Sequence, residues 1–137
     1  MLIDFEIPGI PRPQGSKRHV GNGIMIESSK HVKNWRAVAS LCAMEAMADT
    51  EMILKPNAVR VTVAYYFPRP KKHSTKKAIR DGLPVYHTST PDVDKLLRAT
   101  LDSMTQIVFE DDSQVLLGSC LKLYSERALT RVRVEVM

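Results

Sequence analysis

PDVDKLLRATLDSMTQIVFEDDSQVLLGSCLKLY, residues Pro91 to Tyr124, changes its period twice. Leu97, Leu101, Met104 and Val108 recur at helical spacing, with Leu96 and Thr100 beside them, and predict a helix from Asp94 or Lys95 to Gln106. Glu110-Asp111-Asp112 breaks that stripe, and Val115 to Tyr124 then alternates as a strand. A helix, an acidic break and a strand within so short a stretch point to an α+β fold.

Working outward, Ala128 to Val136 alternates again after a turn at Ser125-Glu126-Arg127, and the two strands read as a closing hairpin. Upstream, Leu2 to Ile7 reads as a strand ended by Pro8-Gly9. His19-Val20 and Ile24–Ile26 flank Gly21-Asn22-Gly23, residues that accept the positive φ of a hairpin turn. Ser28 or Ser29 can cap a helix from about Lys30 to Asp49, whose apolar positions are Trp35, Val38, Leu41, Cys42 and Met44–Ala46. Asn57 to Phe67 is rich in Val, Thr and Tyr and reads as a strand. From Pro68 to Pro91 no period survives, which predicts a long loop. The sum is a small mixed or antiparallel sheet with two main helices, in one domain over residues 1–137.

Composition narrows the function. The 44% hydrophobic and 26% charged residues are those of an ordinary globular protein. No apolar run approaches the roughly 20 residues of a membrane span, so no membrane is expected. Cys42 and Cys120 have no zinc-type spacing, and reduced thiols in the cytoplasm are the expectation. A formal net charge of +5 suits a nucleic acid, an anionic surface or plain solubility. Arg12, Lys17 and Arg18 sit on a Pro/Gly-broken loop, and Arg69, Lys71, Lys72, Lys76, Lys77 and Arg80 follow with no acid between them. Either run can track phosphates or be a solvated loop. Tyr65 and Phe67 share one face of their strand, where core packing is favoured over base stacking, and Trp35 reads as core. His73, His87, His19 and His31 have no spaced partner and read as bystanders.

Against that basic background the acids gather. Asp92 and Asp94 share a face if extended, and diverge by about 200° if both are helical. Asp94 can cap the helix or hold a metal ion. Adjacent Asp111 and Asp112 point opposite ways on an extended chain, so one can face inward. Two or three carboxylates with a substrate phosphate suffice for Mg²⁺.

Asp92-Val93-Asp94-Lys95-Leu96-Leu97-Arg98, Leu101-Asp102-Ser103-Met104 and Asp111-Asp112-Ser113-Gln114-Val115 together resemble the RusA family of Holliday-junction resolvases, with a weaker echo in Pro11 to Arg18. The resemblance implies a small α+β homodimer that nicks four-way DNA junctions symmetrically, with Mg²⁺ (or Mn²⁺ in its place) as cofactor. It implies Asp92, Asp94 and Asp112 as the metal-binding acids, with Asp111 as the fallback, and 5′-phosphate products. Two positions depart from the family pattern: Lys95 stands where it has Asn, and Arg98 where it has a catalytic Lys. Arg98, one turn after Asp94, keeps a cation at the site, and Lys95 also joins the DNA-binding set. A flap- or fork-cleaving nuclease and a non-catalytic structure-selective DNA-binding protein are the alternatives.

Overall fold

The computed structural model describes residues 1–15, 17–19, 25–27 and 31–137, with the backbone alone at 17–19 and 25–27. Strand β1 (Leu2–Pro8) leads to a short antiparallel pair, β2 (Lys17–His19) and β3 (Met25–Glu27), where the glycine spacing predicts a hairpin. The Gly21-Asn22-Gly23 turn and the two capping serines lie outside the described residues. Helix α1 (Val32–Ala46), strand β4 (Val59–Pro68), helices α2 (Lys76–Asp81) and α3 (Val93–Met104), and strands β5 (Val115–Ser125) and β6 (Leu129–Val136) complete the chain, with 3₁₀ turns at Lys71–Ser74 and Asp112–Gln114.

The sheet corrects one expectation. Its strand order is β1-β6-β4-β5, so β5 and β6 are not a hairpin: β4 lies between them, parallel to β5 and antiparallel to β6. The cause is α3. A helical crossover returns the chain so that the strand after it lies parallel to the strand before it. The next strand must then cross the end of β4, about two strand spacings or roughly 10 Å, to reach the remaining gap beside β1. Centrality suits β4, because Val59, Val61, Val63, Tyr65 and Phe67 are all buried along one face.

Helices α1 and α3 pack on that face, and their buried stripes differ from those predicted. In α3 the buried residues are Leu96, Ala99, Thr100, Ser103 and Met104, while Leu97 and Leu101 are half-buried. In α1 they are Val32, Trp35, Ala39 and Ala43, leaving Val38, Leu41 and Met44 exposed. Both stripes mix small residues with large ones, and Ser40 of α1 donates to the Ser103 carbonyl of α3 at 2.9 Å. The buried Tyr65 hydroxyl meets Thr100 Oγ1 at 2.6 Å, and Thr100 in turn donates to the Leu96 carbonyl at 2.9 Å, fixing α3 over β4. Tyr65 and Trp35 are therefore core, as their patterns predict.

The segment from Pro68 to Pro91 is also more ordered than its period suggests. Thr75 caps α2 by accepting from the Ala78 amide at 3.1 Å, and Val85–His87 bonds along the outer edge of β5. Neither feature carries an apolar stripe, so periodicity does not reveal it. The opposite face of the sheet is open and crossed by Asp4–Arg133 and Glu6–Arg131 ion pairs, each at 3.2 Å. No helix among the described residues is long and apolar enough to cross a membrane.

Candidate nuclease site

Helix α3 begins at the acid pair. Asp92 occupies the N-cap position with an extended backbone, but its side chain makes no capping bond. Asp94 lies inside the first turn, so it is not the cap. The pair thus straddles the change from extended to helical chain. Both side chains are exposed, with no hydrogen-bond or ion-pair partner among the described residues. The positive end of the helix favours two carboxylates there. Arg98 and Lys95 are also exposed, and no ion pair ties either to an acid among the described residues.

The third acid region divides its labour. Glu110 Oε1 accepts from the Lys55 amide at 3.0 Å. Asp111 caps the 3₁₀ turn, accepting from the Ser113 amide at 3.0 Å while its own amide donates to Gln114 Oε1 at 2.9 Å. The Ser113 hydroxyl and then its amide hold the Asp111 carboxyl below the ordinary range, with Lys55 helping. The buried Gln114 also donates to the Ile53 and Asn57 carbonyls, knotting the start of β5 to the chain before β4. Of the three acids, Asp112 alone is exposed with a side chain that has no partner among the described residues. Among the described residues no three Asp, Glu, His or Cys side chains form a ready-made metal group: Asp92 and Asp94 share one helix end, while Asp112 opens the turn before β5.

A second element comes to the acid pair. The loop Ile10–Gly15 docks on α3, with the Gln14 amide donating to the Lys95 carbonyl at 3.0 Å. Arg36 of α1 clamps it, donating to Gln14 Oε1 at 2.8 Å and lying 3.7 Å from Asp102 of α3. The Asp102 of the quoted motif is therefore a structural tie between α1, α3 and the loop. Between loop and helix lies a cavity of about 490 Å³ with Arg12, Asp92 and Lys95 on its walls. A cavity of about 480 Å³ on the open sheet face is lined by Asp4, Glu6, Arg131 and Arg133, whose charges are spent on one another. The first holds the unspent charge.

Phe67 is buried as its strand pattern predicts, His87 is no bystander, and Lys122 is a contributor that no motif marks. Phe67 and His87 also line the cavity, their rings 4.4 Å apart, and His87 packs on Tyr124 at 4.9 Å. Burial and then the nearby Lys122 charge hold His87 below the usual histidine value. Lys122, on β5, donates to the Ser89 and Pro91 carbonyls immediately before Asp92. Its position in the chain gives no hint of this; only the outer-edge pairing of His87 with β5 brings it there.

Of the predicted phosphate contacts, Lys71, Lys72, Lys76 and Lys77 are exposed on the 3₁₀ turn and the first turn of α2. Arg69 has an internal role: it donates to the Pro84 carbonyl at 2.7 Å and lies over the Tyr124 ring, 5.7 Å from its centre. The side chains of Lys17 and Arg18 lie outside the described residues.

Residues 6–137 match the family model described as Endodeoxyribonuclease RusA. A Bacillus subtilis (strain 168) protein described as uncharacterized protein YqaN is 34% identical over 143 residues, covering 98% of this chain and 94% of its own length.

Proposed function

This chain belongs to the RusA family of endodeoxyribonucleases, and we propose that it resolves four-way DNA junctions by paired symmetric nicks, leaving 5′-phosphate ends. The observation that carries this reading is the meeting of the Arg12 loop with Asp92 and Lys95 in one cavity at the start of α3. A phosphodiester needs both signs of charge at once. Arg12 and Lys95 offset the phosphates, while the carboxylates are free to hold a divalent ion.

Asp92, Asp94 and Asp112 fit Mg²⁺ by donor type, since all three are hard oxygen ligands with no partner among the described residues. Because they form no preassembled group of three among the described residues, they would hold the ion together with the bound DNA. Mg²⁺, when bound, polarises the phosphate and lowers the pKa of water. Arg98, one turn beyond Asp94, meets the charge that develops on the phosphate. A guanidinium suits that electrostatic role better than proton donation, which falls to Lys95 or to water. Two copies of the chain account for two symmetric nicks. On β5, Leu116, Leu117 and Leu121 are exposed, apolar surface that such a pairing could cover.

The test is cleavage of a synthetic four-way junction beside flap, fork and duplex substrates in Mg²⁺ or Mn²⁺. Two symmetric cuts in the junction are expected, with Asp94→Asn abolishing cutting while binding persists. Preferred cutting of flaps or forks would change the substrate. Tight junction binding with no cutting in any metal would make the chain a structure-selective binding protein instead.

A further inference from the structure

The floor of the cavity has a chemistry that phosphate and metal binding leave unused. Phe67 and His87 lie ring on ring at 4.4 Å, tilted by 35°, and Pro11 and Pro91 close the sides. Phe67 is 5% exposed and serves as backing, while His87 is half-buried and is the more exposed of the two. Burial and the Lys122 charge hold that imidazole below the ordinary histidine value, and its flat ring stands beside the cations Arg12 and Lys95. About 490 Å³ falls within the roughly 300–1,000 Å³ of sites that take a small ligand.

We propose that this cavity takes one unstacked nucleobase of the branched DNA, stacked on His87, with its flanking phosphates against Arg12 and Lys95. The proposal rests on the nuclease reading above and adds the ligand group that the aromatic floor recognises. An aromatic platform next to two cations is the chemistry that holds a single nucleotide out of a helix. Branched DNA supplies such a base at low cost, because pairing and stacking are already interrupted at the crossover. The base then anchors the strand whose next phosphate lies at Asp92, so the cavity selects where along the branch the cut falls. His87 is in this sense a specificity-determining residue and no part of the hydrolytic chemistry.

The test is an abasic scan. Four-way junctions carrying a single tetrahydrofuran site at successive positions around the crossover are compared for binding in Ca²⁺ and for cutting in Mg²⁺. With the wild-type chain, one position within two nucleotides of the cut should weaken binding by roughly 5- to 100-fold, the range of losing one base–aromatic stack. His87→Ala should bind the intact junction as weakly as wild type binds that abasic one, and should be indifferent to the lesion. His87→Tyr, which keeps a ring against Phe67 and Tyr124, should restore the sensitivity and guards against loss of fold. A flat scan with normal cutting overturns the base pocket while leaving the nuclease reading intact, as does a His87→Ala protein that still senses the lesion. Failure to bind any branched DNA overturns both.

Discussion

Replacing Lys122 with methionine tests how the segment before Asp92 is held. The ammonium donates to two carbonyls, Ser89 and Pro91, and the side chain is half-buried. Hydrogen bonds to a charged group contribute about 1.5–3 kcal/mol each. Solvent screening at a half-exposed site, and the coupling of two bonds to one cation, bring the pair to about 2 kcal/mol. Methionine keeps the apolar stem in place and removes only the charge and the donors. A loss of that size raises local opening of the strap by roughly 30-fold.

The amides that report it are His87, bonded to the Lys122 carbonyl at 3.0 Å, and Tyr124, bonded to the Val85 carbonyl at 2.8 Å. Hydrogen exchange at both should accelerate toward that factor while β1 and β6 amides stay slow. The same substitution removes a cation that depresses His87, so an NMR titration should show the His87 pKa rising, with burial still holding it below the ordinary value. DNA cutting should fall while binding to the Arg12 loop persists. Unchanged exchange at His87 together with an unmoved His87 titration would refute the claim that Lys122 positions this segment.

Other expectations concern the helix contact, the acid limb and the cation at the site. Thr100 gives its proton to the Leu96 carbonyl, so Tyr65 donates to Thr100; Tyr65→Phe should cost about 1 kcal/mol, and Thr100→Val more, about 2 kcal/mol plus or minus repacking, because it strands a buried donor. Denaturant titrations giving the reverse order would contradict that assignment. His73 and His87 are both held below the 6.5 of a free histidine, chiefly by burial. The unfolded chain therefore binds more protons than the folded one as pH falls through 6.5, and stability should drop on that limb until the folded values are passed. His87→Phe should flatten the slope in a melting series across that range. Asp111 acts with the opposite residue type: its depressed carboxyl stabilises the fold above its ordinary 3.8 and loses that contribution as pH falls through its folded value. Arg98→Ala should lower the cutting rate about 10²–10³-fold under single-turnover conditions, and Arg98→Lys should retain most of it, since the charge and not the fork is required.

The sequence by itself determined the elements that carry a period. β1, α1, β4, α3, β5 and β6 all follow from alternation or helical spacing, and the Asp92-x-Asp94 and Asp111-Asp112 motifs are legible because local spacing puts those acids at a helix start and a turn. Three things belonged to tertiary structure. Strand order was one, since alternation says which face is buried and is silent about neighbours; the α3 crossover put β5 on the far side of β4. The buried stripe of each helix was another, decided by which face meets the sheet and the other helix: Ala39, Ala43, Ala99 and Ser103 are buried while Val38, Leu41 and Met44 are exposed. The third was the wall of the site. Arg12, Phe67 and Lys122 come from three separate stretches, and long-range contacts bring them to Asp92 and to the His87 segment that leads into it. No short-range pattern encodes a contact between residues that lie on different strands and loops, so that part of the site became visible only when the chain was folded.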